Sequence, residues 1–293
     1  MSLLEIVKAV IYGVVEGITE WLPVSSTGHL ILLEDWIPFE MASEEFMEMF
    51  DVVIQLGAIL AVVLIFWKII WPFQMERSVS GDKDPEQIHL IGGLTCRKET
   101  MIMWGKILVA CVPAAVIGIL FDDVFNRYFY NSVSIAIALI VFGVAFIVVE
   151  RVNKGKTAKI DSIPKISYKT ALLIGFFQLL AAIFPGTSRS GATIVGALMI
   201  GVSRSVAAEF TFFLAIPVMF GASLLKVVKF AAGGAVLSSS ELVILVIASI
   251  AAFLVSVMVI RFLMNFVKKH DFSVFGWYRI ILGIIVLVQF YGG

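Results

Sequence analysis

Glu16 and Glu20 stand four residues apart, so on a helix their carboxylates share one face. Two ionised carboxylates so placed repel each other, and either a cation stands beside them or one takes a proton. Gly13 and Gly17 lie on the same side and allow another backbone to approach. Pro23 then breaks the helix, and Ser25, Ser26 and Thr27 follow as residues of the N-cap type. A helix start presents unpaired N–H groups and the positive end of the helix dipole, which together suit an anion. His29 comes three residues after Ser26, so both can face one cavity, and the pair supplies a nucleophile and a base. Capping alone accounts for one of these hydroxyls and leaves the others and the histidine.

A second polar run follows Pro185 and Gly186. Thr187, Ser188, Ser190 and Thr193 supply hydroxyls, and Arg189 supplies a planar cationic fork that matches phosphate oxygens two at a time. Arg189 also suits a structural pairing with Glu16 or Glu20, and the two roles are compatible. The expected phosphate-binding set is Ser25, Thr27, Ser188, Ser190 and Thr193, and the expected catalytic set is Ser26, His29, Glu20 and Arg189. Glu16 and Glu20 are hard oxygen ligands suited to a divalent cation, Mg²⁺ or Ca²⁺, held jointly with substrate phosphates. Attack by Ser26 with His29 as base, attack by His29 itself, and attack by a metal-activated water all remain open. The chemistry is phosphoryl transfer, and the surrounding composition makes the substrate a lipid phosphate.

Of 293 residues, 60% are hydrophobic and 15% charged. The mean hydropathy is +1.01. So little polar surface could not cover a core in water, which leaves an integral membrane protein. The formal net charge is +0 and no basic stripe suits nucleic acid. Cys96 and Cys111 make no disulfide frame, and Glu16 and Glu20 spoil a reading of the N-terminus as a signal peptide. Six segments, about 46–70, 101–121, 132–149, 205–229, 240–264 and 274–291, are each apolar over the ~20 residues that a span needs. Two others, about 3–37 and 168–202, are apolar but broken midway. Non-helical backbone at membrane depth requires burial in protein or a wet cavity. Both read as re-entrant helix–loop–helix pairs. Glu5 reads as snorkelling to the outer interface.

The broken segments match at an offset of 162 residues: Gly13 falls on Gly175, Glu16 on Gln178, Pro23 on Pro185, Ser25 on Thr187 and Ser26 on Ser188. Thr27 then stands opposite Arg189, and Ser43 opposite Ser205. Such matching points to an internal repeat with the site between the halves. Three spans, an odd number, separate the broken pairs, so the repeats are inverted. The expected architecture is an all-α polytopic membrane protein, with six transmembrane helices plus two re-entrant pairs. The chain forms one integral domain, 1–293, with repeat one about 1–150 and repeat two about 151–293. Arg77, Lys83, Arg97, Lys98, Arg151, Lys154, Lys156, Lys159, Lys165, Lys169, Lys268 and Lys269 crowd one set of loops. The positive-inside rule makes that set cytoplasmic, both termini outside, and the first re-entrant pair open to the outer face.

The Glu-x-x-x-Glu pair with His29 nearby, and the run Pro185, Gly186, Ser188, Arg189, Ser190, Thr193, resemble the undecaprenyl-diphosphate phosphatase family linked with bacitracin resistance. The likeness runs nearly the whole chain, including "FDVVIQLGAILAVV" at 50–63 and "EFTFFLAIPVMFGA" at 209–222. It implies hydrolysis of the terminal phosphate of a C55 polyprenyl diphosphate, which regenerates the lipid carrier of cell-wall synthesis. It also implies a divalent metal and a bacterial plasma membrane. The partners expected are that lipid substrate and membrane lipid, with homo-oligomerisation left open. Acid-phosphatase-like lipid phosphatases need a second histidine six residues after the Ser-Arg pair, but that position is Val195 and the next histidine is His270. A lipid flippase or transporter is the alternative, since inverted repeats with broken helices are also transporter architecture. Release of phosphate separates it from an enzyme.

Overall fold

A computed structural model of the chain describes residues 2–40, 42–75, 87–89 and 94–292. Arg77 and Lys83 of the basic-loop reading lie outside the described residues. Eleven α-helices make up most of the described chain: α1 (Leu3–Thr19), α2 (Ser26–Trp36), α3 (Glu44–Val53), α4 (Gln55–Ile70), α5 (Lys98–Phe129), α6 (Ser132–Asn153), α7 (Tyr168–Ile183), α8 (Arg189–Ile200), α9 (Arg204–Ala232), α10 (Ser239–Phe266) and α11 (Ser273–Gly292). Six stretches are long and apolar enough to cross a membrane: Glu44–Ile70, Lys98–Gly118, Ser132–Asn153, Arg204–Ala232, Ser239–Phe266 and Ser273–Tyr291. They coincide with the six apolar segments of the sequence, and the protein is an all-α, multi-pass membrane protein.

The outside of the bundle shows why. Leu108, Val112, Val116 and Leu120 are exposed at a spacing of four along α5, as are Val246, Ile250, Leu254, Met258 and Phe262 along α10. A helix row of that period faces one direction, and an exposed apolar row of this length suits lipid. Inside, helices approach closely where side chains vanish. A Cβ on Gly13 would lie 2.2 Å from the Ala248 carbonyl oxygen of α10, and one on Gly175 would lie 2.3 Å from that of Ala110 in α5. Helix α1 accordingly packs on α10, and α7 on α5. The crossing of α6 with α11 is likewise set by Gly143 and Gly276, each of which would put a Cβ 2.7 Å from the other's carbonyl oxygen.

Four local readings change. The stretch between the apolar segments 101–121 and 132–149 is helical as far as Phe129. The first span is two helices, α3 and α4, joined at Ile54. A small antiparallel sheet, β1 (Phe73–Met75), β2 (Gln87–His89) and β3 (Leu94–Arg97), stands between α4 and α5 in the order β1-β3-β2. Alternating patterns over three or four residues are too short to signal strands in advance. Glu5 does not snorkel: it is 1% exposed, and Lys8 Nζ lies 3.0 Å from its carboxylate.

Both ends of the bundle are tied by carboxylates at helix starts or ends. Glu241 closes a capping box with Ser238 and accepts from the backbone N–H (3.1 Å) and hydroxyl (2.9 Å) of Ser43, joining the starts of α10 and α3. At the other end Glu150 of α6 takes a fork from Arg204 of α9, at 2.5 Å to Nη2, and the Phe272 N–H at 3.0 Å.

Candidate functional site

Helices α1 and α2, and again α7 and α8, are joined by short breaks that hold the polar runs. In each pair the second helix begins on a serine forced into the left-handed region: Ser25 at φ 76° and Ser188 at φ 66°. These are the only non-glycine residues with positive φ among the described residues. Such backbone costs on the order of 1–3 kcal/mol per residue and persists where its surroundings over-determine it. The reward is the same in both places. Ser25 Oγ accepts the Gly28 N–H at 3.4 Å, and Ser188 Oγ accepts the Gly191 N–H at 3.2 Å. This corrects the residue matching drawn from sequence. The second break holds one more residue between its proline and its cap, so Ser25 corresponds to Ser188, and Arg189 stands opposite Ser26 rather than Thr27. The starts of α3 and α9 likewise match by their caps, Ser43 with Ser203 rather than Ser205.

The two breaks meet. Arg189 Nη2 lies 2.9 Å from Glu20 Oε1, and its Nη1 donates to the Thr211 carbonyl at 3.1 Å. The other oxygen of Glu20, Oε2, accepts from Ser26 Oγ at 2.8 Å. Glu20 is thus shared between the cationic fork of one break and the hydroxyl of the other. A cleft of about 210 Å³ opens there, lined among others by Glu20, Ser26, Thr27, Gln55, Gln178, Ser188 and Arg189. Trp21, fully buried and edge-on to Phe212 with ring centres 5.3 Å apart, fixes the chain just beyond Glu20.

The expected pairing of Ser26 with His29 does not form. His29 Nδ1 donates to its own helix's Ser25 carbonyl at 2.7 Å, so the proton sits on Nδ1. Its Nε2 then accepts from the Tyr278 hydroxyl at 2.8 Å. Both ring nitrogens are engaged, and His29 does not line the cleft. Both residues lie on α2 as the spacing implies, but each is taken by a different partner, Ser26 by Glu20 across the break and His29 by the Ser25 carbonyl and Tyr278. Four of the expected phosphate-binding hydroxyls are also engaged within the protein. Ser25 caps α2, Ser190 donates to the Glu20 carbonyl at 3.2 Å, and Thr193 bonds the Arg189 carbonyl at 2.9 Å and the Thr211 hydroxyl at 2.8 Å. Ser188 caps α8 and meets Ser190 Oγ at 3.0 Å, and it lines the cleft together with Thr27.

Glu16 is fully buried, and neither carboxylate oxygen has a hydrogen-bond partner; the same is true of both amide atoms of Gln178. Buried acceptors without donors are costly. Among the described residues no three His, Cys, Asp or Glu side chains converge in a metal-holding group. The donor set here is smaller, two carboxylates one turn apart, and the unpartnered oxygens of Glu16 fit a hard divalent cation whose remaining ligands come from phosphate.

Sequence reasoning missed Arg279, which is fully buried on α11. Its guanidinium donates to the Pro23 carbonyl at 3.2 Å in the first break, and to the Gly186 and Thr187 carbonyls at 2.9 and 2.7 Å in the second. The available signal was an arginine in the apolar segment 274–291, where an ionised side chain is functional by default. Replacing Arg279 with Met, similar in length but without donors, leaves three buried carbonyls unpartnered at ~1–3 kcal/mol each. Arg279→Met should therefore lower the melting temperature in detergent by several degrees. Arg279→Lys should recover only part of that, because a single ammonium lacks the fork that reaches both breaks. An unchanged melting temperature in Arg279→Met would remove this brace from the account.

Comparison with known proteins agrees with the geometry. Residues 9–285 match the family model described as bacitracin resistance protein BacA. The chain is 59% identical over 290 residues to the undecaprenyl-diphosphatase of Desulfitobacterium hafniense, covering 99% of this chain and 98% of that one. It is 54% identical over 290 residues to undecaprenyl-diphosphatase 1 of Clostridium acetobutylicum, covering 99% of each. It is also 54% identical over 280 residues to the undecaprenyl-diphosphatase of Enterococcus faecalis, covering 96% of this chain and 95% of that one. A match of this length, through both polar runs and every membrane helix, means that the chain belongs to the bacitracin-resistance protein family.

Proposed function

We infer that the protein hydrolyses undecaprenyl diphosphate to the monophosphate and inorganic phosphate, recycling the lipid carrier of cell-wall synthesis. The observation that carries the reading is Glu20 held between Arg189 and Ser26 in one cleft among apolar helices. A cation fork, a hydroxyl nucleophile and an acceptor for its proton are together what a phosphoryl transfer requires.

The steps follow from that contact. Arg189 leaves Glu20 for the terminal phosphoryl group and spreads its positive charge over the oxygens that gain charge in the transition state. Ser26 Oγ attacks the terminal phosphorus while its proton passes to Glu20 Oε2. The bond from phosphorus to the bridging oxygen breaks, and the lipid monophosphate leaves. Water then displaces the serine oxygen from phosphorus, Glu20 returns its proton to Ser26, and both hydrogens of the water leave on the inorganic phosphate. His29 is disfavoured as the nucleophile because both its nitrogens are engaged; it orients the start of α2. Thr27 and Ser188 contact phosphate oxygens, while Ser25, Ser190 and Thr193 hold the breaks in shape.

Two substitutions test these roles. Glu20→Gln keeps the shape but not the proton acceptor, and should lose about 10²–10⁴ in turnover. Arg189→Lys keeps the charge but not the fork, and should lose up to ~10³–10⁵. Rapid quench with labelled substrate should trap an acid-stable phosphoserine at Ser26. Normal turnover in Arg189→Lys would end the fork proposal, and an acid-labile adduct would move the nucleophile to His29.

A divalent cation, Mg²⁺ or Ca²⁺, would be held by Glu16 and Glu20 against the diphosphate, where it would neutralise oxygen charge. Support comes from the unpartnered oxygens of Glu16. Adding Mg²⁺ with inorganic diphosphate should raise the melting temperature of the wild type but not of Glu16→Gln. An equal rise in both would rule out Glu16 as a ligand.

The α1–α2 and α7–α8 pairs are re-entrant and belong to two inverted repeats. Supporting this are the matched strained caps at Ser25 and Ser188, and the matched packing of α1 on α10 and α7 on α5 through Gly13 and Gly175. With the basic loops cytoplasmic, both termini and the first pair face outward in the bacterial plasma membrane. Cysteines placed at Ala158 and Ser239 report on this with an impermeant thiol reagent on intact cells. Labelling at 239 alone is expected, and labelling at 158 alone would reverse the orientation.

A further inference from the structure

A second cleft, of about 540 Å³, lies at the far end of the bundle from the α3 and α10 starts, where α6, α8, α9 and α10 meet the segment 154–162. It is a built feature. The Lys159 and Ile160 N–H groups both donate to the Gly201 carbonyl, at 2.9 and 3.2 Å, and the Ser203 N–H returns to the Ile160 carbonyl at 2.8 Å. Asn153 Nδ2 holds the Leu198 carbonyl at 2.9 Å. The carbonyls of Ala197, Leu198 and Gly201 at the end of α8 are therefore occupied.

Its walls carry Lys156, Lys159, Lys268 and Arg204 against one carboxylate, Glu150. Glu150 is taken up by Arg204, at 2.5 Å to Nη2 and 2.9 Å to Nε, and by the Phe272 N–H. That leaves three lysines, all exposed, with no carboxylate among the described residues paired to their ammonium groups. The first N–H groups of α9, which open into the same cleft at Arg204 and Ser205, add the positive end of a helix dipole. Beside these cations the surface turns apolar at once: Met199, in the cleft wall, is 60% exposed. A cationic pocket with an apolar rim, at the end of membrane helices, fits a ligand that is anionic at its head and hydrocarbon below.

We propose that this cleft binds the phosphate headgroup of an anionic membrane lipid, at a site separate from the Glu20–Arg189 cleft. The ligand chemistry is a phosphate ester with acyl chains running down past Met199. Only the leaflet depends on the orientation inferred above; the binding itself does not. Each lysine at such a surface contributes roughly fivefold in affinity, and three together on the order of 100-fold.

The experiment uses the full chain, delipidated in nonionic detergent, with cardiolipin, phosphatidylglycerol, phosphatidylcholine and inorganic phosphate as separate probes in native mass spectrometry. The wild type should retain cardiolipin and phosphatidylglycerol over phosphatidylcholine. The triple variant Lys156→Gln, Lys159→Gln, Lys268→Gln should lose the anionic lipids by about 100-fold, and each single variant by about fivefold. The single variants keep two of the three lysines each, so they give a result even where the triple variant fails to fold. Equal retention of anionic lipid by the wild type and the single variants would overturn the proposal. So would equal retention of phosphatidylcholine, or displacement of the lipid by inorganic phosphate at matched concentration, which would assign the cleft to a soluble anion.

Discussion

The guanidinium of Arg279 is the tie on which the site depends. Two helices are broken inside an apolar bundle, and a broken helix leaves carbonyls that water would normally satisfy. Membrane protein interiors have little water to offer, so a side chain must do it. Arg279 reaches Pro23 on one side and Gly186 and Thr187 on the other, and so binds the two breaks to one another. With the breaks joined, Ser25 and Ser188 are held in left-handed backbone, and the residues after them point into a common cleft.

The charge balance follows from this closure. Glu20 and Arg189 come from breaks 169 residues apart in the chain, yet sit at 2.9 Å. In the resting protein they partner each other, which removes the cost of holding either ion alone among apolar helices. In the reaction proposed above, a phosphate competes for Arg189 and frees Glu20 Oε1 while Oε2 keeps the Ser26 proton within reach. The pair is a structural contact, and in that proposal its cation has only to shift from Glu20 to the phosphate. Tyr278 and Arg279 are neighbours on α11, one fixing His29 and the other the breaks. That single helix therefore fixes both the breaks and the His29 ring.

Much of this was legible in advance because lipid leaves a coarse mark. The six long apolar segments, the two broken ones, and the Glu16/Glu20 and Arg189 runs all follow from the cost of polar groups in hydrocarbon, which is paid locally and shows in composition. Pairings were not legible. Ser26 and His29 at a spacing of three read as a nucleophile and its base, and they do share helix α2. What the spacing could not show is the partners from outside that helix: Glu20 takes Ser26, and Tyr278, 249 residues away, takes His29. Hydroxyls were over-counted because partners are invisible in sequence: Ser25, Ser188, Ser190 and Thr193 look identical to Thr27 until their bonds are seen.

The sequence by itself determined the class of protein, the apolar spans and the two broken segments between them, and most of the reactive groups, because hydropathy, proline breaks and capping serines act over a few residues. Tertiary structure alone decided which groups meet. It aligned the two breaks one residue away from the simplest matching, put Arg189 on Glu20, and brought in Arg279 from the last helix. Those outcomes depend on the packing of α1 on α10, α7 on α5 and α6 on α11. Each of these contacts is set by glycines that admit a neighbouring backbone far away in the chain, and no local pattern encodes which distant carbonyl a buried guanidinium will find.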